Sequence, residues 1–337
     1  MKAAVIPKPG IIYIEERDIP EIRNEDDILI KVKAAGICGS DLHIYHGKSP
    51  VATYPRVIGH EFVGEVVDKG KGVKKLNIGD RVAVEPILYC GECYPCRKGR
   101  HNVCEKLEVL GVHRDGGFQE YIVVSEKNAY PFGDQIPWEE AALIEPFTIA
   151  AQVRERGLVQ ERDNVFIIGA GPIGLCILQY LLLFNVRCGI SDICENRLNL
   201  AREIGAHFTI NAKLSDTEKE VFSYFPKGAN VVIDAVGLPE TFEQAIKLAS
   251  SAGRVVLLGF DRNPSSIPQA PLTLKELTIS GSRLQANKFP EIIKLFEKGK
   301  IKASKLISHI FPFEKIVDAL NLIERERDRV CKVILIF

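Results

Sequence analysis

The chain has 337 residues, a length that at ~150 residues per domain predicts two domains. Forty-four basic and forty-four acidic side chains leave a formal charge of zero, so no global field draws the protein to nucleic acid or to an anionic membrane. Apolar residues make up 46% and charged residues 26%, which excludes a disordered or fibrous chain.

From Ala3 to about Phe132 the sequence reads as short strands separated by Gly, Pro and Asp, among them 28–33, 62–67, 81–84 and 121–124. This stretch is expected to be an all-β, barrel-like domain with long irregular connections, which in compact domains are usually functional. Met1 to Pro7 lacks the long apolar core of a signal peptide, and a cytoplasmic address is expected.

The texture changes after Pro146. The apolar run Val165 to Ile168 leads through Gly169-Ala170-Gly171-Pro172-Ile173-Gly174 into an apolar helix ending near Asn185. A strand at 186–191 and a helix with Leu198, Ala201 and Ile204 on one face follow, then runs at 208–210, 231–233 and 255–258 alternating with helices. Runs apolar on both faces and separated by helices predict a parallel sheet covered on two sides, over roughly 147–282. No window reaches the ~18 apolar residues of a membrane span; the nearest, 173–184, is interrupted by Gly174 and Gln179. Beyond 282, Ile316, Ala319, Leu320 and Ile323 keep helical spacing and 333–336 is strand-like. The residues alone leave open which domain this tail joins.

Gly169 to Gly174 fits G-x-G-x-x-G between a strand and a helix. That turn lets a pyrophosphate approach the helix N-terminus, where free N–H groups favour negative charge. Asp192 ends the next strand, eighteen residues after Gly174, where a carboxylate accepts from a ribose 2′-hydroxyl and repels a 2′-phosphate; NAD is therefore expected over NADP. Arg197 is placed to cover the adenine side. The bland alternatives are a bare glycine turn and a helix cap.

Nine cysteines fall into one cluster and five scattered positions. Cys90, Cys93, Cys96 and Cys104 supply four thiolates on a short loop, enough to close a tetrahedral zinc shell with no open position, the mark of a structural site. A disulfide pair or free thiols are the alternatives. Cys38, in Gly-Ile-Cys-Gly-Ser-Asp-Leu-His, and His60 with Glu61, in Gly-His-Glu-Phe-Val-Gly, form a second set. One thiolate, one imidazole and one carboxylate would leave a metal a position for a substrate oxygen. Gly64 stands where a His-Glu-x-x-His protease would need its second histidine.

Taken together, Gly59-His60-Glu61-x2-Gly64-x5-Gly70-x2-Val73, Gly79-Asp80-Arg81-Val82, the four-cysteine lobe and the Gly169 turn resemble the zinc-containing alcohol dehydrogenases of the medium-chain dehydrogenase/reductase superfamily. The resemblance runs over essentially the whole chain. It implies an α/β protein with a GroES-like β-barrel catalytic domain at 1–146, completed by 283–337, and a Rossmann coenzyme domain at 147–282, the active site lying in the cleft between them. It implies two zinc ions per chain and a homo-oligomer, dimer or tetramer.

By the same resemblance Cys38 and His60 are ligands of the catalytic zinc, and Glu61 is the adjacent carboxylate that binds the metal directly in polyol-dehydrogenase relatives and swings in and out in others. Glu145 stands where classical alcohol dehydrogenases carry a cysteine ligand, which resembles the sorbitol dehydrogenase branch and leaves open direct or water-mediated ligation. Ser40 and His43 match the family's proton relay, which carries the substrate's hydroxyl proton to solvent by way of the cofactor ribose; Asp41 is assigned to positioning. The segments 54–60, 111–118, 145–147 and 282–290 resemble bacterial starvation-sensing dehydrogenases and L-galactonate or L-gulonate 5-dehydrogenases, which act on a secondary hydroxyl of a sugar acid. A sugar acid requires a local cation, and His113, Arg114, Arg283 and Lys288 are the candidates. The alternatives are a polyol dehydrogenase, a threonine dehydrogenase, or a sensing protein without turnover.

Overall fold

Alternation of apolar and polar residues becomes a set of short strands in the N-terminal part of the chain. A computed structural model describes residues 1–337. The elements run β1 (Lys2–Lys8), β2 (Ile11–Glu16), β3 (Asp27–Ile37), α1 (Gly39–Tyr45), β4 (Arg56–Val57), β5 (Glu61–Lys69), β6 (Arg81–Val84), β7 (Ile87–Leu88), α2 (Tyr94–Arg97), β8 (Glu108–Val109), β9 (Tyr121–Ser125), β10 (Ala129–Pro131), α3 (Trp138–Ala141) and α4 (Ile144–Arg156). The chain continues as β11 (Asn164–Ile168), α5 (Pro172–Leu181), β12 (Arg187–Asp192), α6 (Glu195–Ile204), β13 (Phe208–Asn211), α7 (Thr217–Tyr224), β14 (Ala229–Asp234), α8 (Pro239–Leu248), β15 (Ala249–Leu257), α9 (Gln269–Leu274) and β16 (Thr278–Gly281). It closes with α10 (Phe289–Glu297), β17 (Ile307–Pro312), α11 (Ile316–Arg325) and β18 (Lys332–Ile336). No helix is long and apolar enough to cross a membrane.

These elements form two units, Met1–Glu145 with Phe289–Phe337, and Pro146–Lys288. The second crossing falls at 288/289 rather than 282/283, because residues just before it are tied to α4: the Ala286 N–H donates to Gln152 Oε1 at 3.1 Å, and Lys288 pairs with Glu155.

In the first unit, a sheet runs β10-β6-β5-β3-β18-β17, with β9 also on β3. β3 is the hub. One edge pairs with β5; the other is shared by β9 over Asp27–Lys31 and by β18 over Ala34–Ile37. Its burial follows from that division. Ile28, Ile30 and Val32 point inward and alternate with outward residues, while Ala34 to Ile37, beside β18, are all buried. The tail is thus part of this core, supplying Phe313, Ile316, Leu320, Val333 and Leu335 to a cluster with Ile30, Phe62 and Val82. At ~1.5–3 kcal/mol per buried side chain, those five contribute roughly 8–15 kcal/mol of apolar burial, as much as the net stability of a whole domain.

The second unit is an all-parallel six-stranded sheet in the order β13-β12-β11-β14-β15-β16. Numbered within the unit this is 3-2-1-4-5-6, the doubly wound order, in which ligands bind outside the carboxyl ends of the strands where the order reverses. The reversal falls between β11 and β14. α5 stops at Leu181 and a single tighter turn, Leu182–Phe184, carries the chain to Asn185, which has φ +51°.

Candidate metal and coenzyme sites

The pairing of β3 with β5 sets Gly36 opposite Glu61, so the ends of these strands bring the Cys38 and His60 segments together. Cys38 caps α1, and Asp41 in that helix's first turn is wholly buried. Its carboxylate accepts the N–H of Cys38 at 2.8 Å and that of Gly59 at 3.2 Å, clamping the two backbones that carry the thiol and the imidazole. One Asp41 oxygen lies 3.6 Å from His60 Nδ1, and that nitrogen is buried without a hydrogen-bond partner. Burial opposes the charged imidazole, but Asp41 and the Cys38 thiol outweigh it and raise its pKa well above the ordinary value.

The donor atoms of Cys38, His60 and Glu61 lie within 4.8 Å of one another. A thiol, an imidazole and a carboxylate gathered in a buried pocket fit a zinc ion with a position to spare. Glu145, buried at the start of α4, is not in that group of three. It interacts electrostatically with it, however: burial pushes its carboxyl up to about 7, aided by Glu61 and Asp41 and opposed by His60 and Lys332. Ser40 and His43 sit three residues apart on α1, both exposed.

Cys90, Cys93, Cys96 and Cys104 converge as free thiols. Their sulfurs are 3.4 Å apart for Cys93–Cys96, 3.5 Å for Cys104–Cys90 and 3.7 Å for Cys93–Cys104. A disulfide needs ~2.05 Å, whereas a tetrahedron with Zn–S bonds of ~2.3 Å has edges of ~3.8 Å, so the spacing fits a four-thiolate zinc. Backbone N–H groups of Cys90 and Lys106 donate to the Cys104 sulfur, and that of Cys93 to the Cys90 sulfur. Such donors favour thiolates, and backbone N–H groups of Glu92 and Cys93 lower the Cys90 pKa to about 6; burial pushes Cys96 up to about 12.

In the second unit the Gly169 turn closes so tightly that a Cβ on Gly174 would stand 1.9 Å from the Gly169 carbonyl oxygen, and Gly169 itself has φ +99°. α5 begins directly after Gly171, with Pro172 and Ile173 in its first turn. Asp192, at the end of β12, accepts from the Ala170 N–H at 2.8 Å and the Cys194 N–H at 2.9 Å, and Arg197 lies 3.8 Å away. The glycine cradle at a helix N-terminus, with this carboxylate on the adjacent strand end, fits a dinucleotide.

The four candidate cations are dispersed. Arg114 pairs with Glu108 at 2.6 Å and lines a surface cavity of about 1000 Å³ in the first unit, beside Arg17 and Asp115. His113 accepts the Val109 N–H at its Nδ1, 3.1 Å. In the second unit Lys288 is paired with Glu155, and Arg283 is exposed.

Two groups escaped sequence reasoning. Lys332 is 2% exposed and places its ammonium 2.6 and 2.8 Å from the two oxygens of Glu61. The available signal was a lysine opening an apolar strand, where a buried charge requires a partner. Likewise Glu85, at the end of β6, meets His101 of the cysteine lobe at 2.9 Å and accepts from the Tyr130 hydroxyl at 3.0 Å, with the Tyr89 ring stacked on His101 at 4.3 Å.

A doubly wound unit with a dinucleotide cradle, together with a β unit whose two cysteine-bearing clusters fit zinc, points to the class of zinc-dependent dehydrogenases. Family models agree: residues 24–134 match the alcohol dehydrogenase GroES-like domain and residues 172–298 the zinc-binding dehydrogenase domain. The chain is 47% identical to the starvation-sensing protein RspB of Escherichia coli K12, over 100% of this chain and 99% of that protein. It is 34% identical to an L-galactonate-5-dehydrogenase of Escherichia coli K12, over 94% of each. The crystal structure of rspB from Escherichia coli CFT073, complexed with NADH, superposes with a TM-score of 0.95 at 47% identity, covering 100% of this chain and 99% of that one. The chain belongs to the zinc-type medium-chain dehydrogenase/reductase family and is an NAD-dependent oxidoreductase.

Proposed function

We propose that this protein oxidises a secondary hydroxyl of a sugar acid of the L-gulonate or L-galactonate type, passing a hydride to NAD and releasing a keto-aldonate. The observation that carries the substrate class is the similarity to an L-galactonate-5-dehydrogenase over nearly the whole chain. Cys38 and His60, with Glu61 and Glu145 at hand, would hold a zinc ion, which would supply the Lewis acidity that lowers the pKa of the substrate hydroxyl. Asp41 orients His60, Ser40 takes the hydroxyl proton, and His43 delivers it to solvent. Gly169, Gly171, Pro172, Ile173 and Gly174 hold the pyrophosphate, Asp192 the ribose and Arg197 the adenine side. Cys90, Cys93, Cys96 and Cys104 hold a second zinc with a mechanical role. A cytoplasmic homo-oligomer belongs to the same reading.

The second reading is a neutral polyol such as sorbitol, xylitol or galactitol. It is favoured by the pairing of Arg114 with Glu108 and of Lys288 with Glu155, which leaves those cations less able to recognise a carboxylate. NAD reduction over a panel of aldonates, polyols and L-threonine, with zinc counted in the same sample, separates the two. Turnover confined to aldonates with two zincs per chain supports the first; sorbitol turnover without aldonate activity overturns it.

A further inference from the structure

The segment 111–118 spends its charged side chains away from the Cys38–His60 pocket. Arg114 pairs with Glu108, and the surface cavity that Arg114 and Asp115 line includes neither Cys38 nor His60. What the segment brings to the pocket is backbone. The N–H groups of Gly116, Phe118 and Gly117 donate to three successive carbonyls, those of Val57 at 2.8 Å, Ile58 at 3.0 Å and Gly59 at 2.7 Å, the residues that lead directly into His60. The approach is too close for side chains. A Cβ on Gly116 would stand 2.1 Å from the Gly59 carbonyl oxygen, and one on Gly117 2.3 Å from the Phe62 ring.

Asp115 locks this pairing. Its Oδ1 accepts the Val57 N–H at 3.0 Å and Arg56 Nη1 at 2.9 Å, while its Oδ2 accepts Arg17 Nη1 at 3.1 Å. Asp41 holds the Gly59 N–H, so two carboxylates from different segments grip alternate amides of the strip before His60. The Asp115 side chain is 39% exposed, so solvent screens its ion pairs with the two arginines, which leaves the directional bond to Val57 as its main structural effect. We infer that Asp115 is a positioning residue for the catalytic metal: by holding Val57 it seats the 116–118 backbone on Val57–Gly59 and fixes where the His60 imidazole stands relative to the Cys38 thiol. This rests on Cys38 and His60 forming the catalytic metal site.

The test uses chelator-stripped full-length protein titrated with cobalt, whose visible bands report ligand geometry; the four-thiolate site serves as the internal reference. Asp115→Ala is expected to weaken cobalt binding at the Cys38–His60 site by about tenfold and to alter the bands of that site, with the four-thiolate affinity unchanged. Asp115→Asn keeps a carbonyl oxygen for the Val57 N–H and is expected to stay near wild type, although it loses the charge that faces Arg17 and Arg56. Should Asp115→Ala not fold, Asp115→Ser, a shorter polar side chain, makes the same comparison and shifts in the same direction. Unchanged cobalt affinity and bands, equal weakening at both sites, or an Asn variant as impaired as the Ala variant overturns the role of Asp115. A raised KM for L-galactonate with cobalt binding unaltered assigns the segment to substrate recognition and overturns it as well. Wild-type protein that takes up one cobalt per chain, with four-thiolate bands alone, overturns the metal-site reading itself.

Discussion

The contact between Glu85 and His101 joins the cysteine lobe to the sheet, and its removal has a calculable cost. His101→Phe keeps a flat ring to stack on Tyr89, at a present separation of 4.3 Å, but deletes the donor 2.9 Å from Glu85 Oε1. The two side chains are 7% and 2% exposed, so solvent is poorly placed to replace that donor. Hydrogen bonds to charged groups contribute ~1.5–3 kcal/mol, and the upper end suits a contact this buried. A loss of about 3 kcal/mol corresponds to a fall in Tm of about 6–12 °C for a unit of this size. Differential scanning calorimetry of the zinc-loaded protein reads the shift, and a double-mutant cycle with Glu85→Leu isolates the pair, with an expected coupling of about 2 kcal/mol. The lobe metal should also pass to a chromogenic chelator faster in His101→Phe. An unchanged Tm together with zero coupling would refute the idea that this contact holds the lobe to the sheet.

Three further outcomes are expected. Asp41→Ala releases the Cys38 and Gly59 backbones, and should weaken metal binding at the Cys38–His60 site by about 10- to 100-fold while leaving the four-thiolate metal in place, as competition with a chelator would measure. Gly174→Ala must open the turn to relieve a 1.9 Å approach, and should weaken NADH binding by at least about tenfold, roughly 1.4 kcal/mol by fluorescence titration, with both metals retained. In metal-stripped protein Glu145 keeps its proton up to about pH 7, whereas the unfolded chain releases it near the ordinary 4.5. The folded state therefore holds the extra proton in this window, and stability should fall by about 3 kcal/mol as pH rises through it and stay flat above. Urea unfolding at several pH values reads this slope, and Glu145→Gln should abolish it.

What was legible in the sequence is what short segments encode locally. Val165 to Ile168 is apolar on both faces because both faces of β11 are buried, and the glycine turn after it announces its own geometry. Four cysteines within fifteen residues can hardly avoid meeting, and their sulfurs do meet. The destination of the tail was harder, since Val333 to Ile336 suits either sheet; only its antiparallel register against Ala34 to Ile37 decides it. Lys332 and Glu85 were missed for a related reason. Each is an ordinary charged residue until a partner from another strand or loop buries it, and no spacing rule connects Glu61 with a lysine 271 residues away. The candidate substrate cations show the opposite side of this: Arg114 and Lys288 stand out in the sequence, while Glu108 and Glu155, the carboxylates that engage them, do not.

That separation of 271 residues also orders events in time. At synthesis rates of ~5–20 residues per second, Glu61 is made roughly 15–50 s before its counter-ion. The strands and helices of Pro146–Lys288 are contiguous and emerge within that interval, free to fold while the first unit still lacks β18. A nascent chain therefore carries all of Pro146–Lys288 while Glu61 still lacks Lys332, and the buried ion pair between them forms only once the last strand pairs with Ala34 to Ile37.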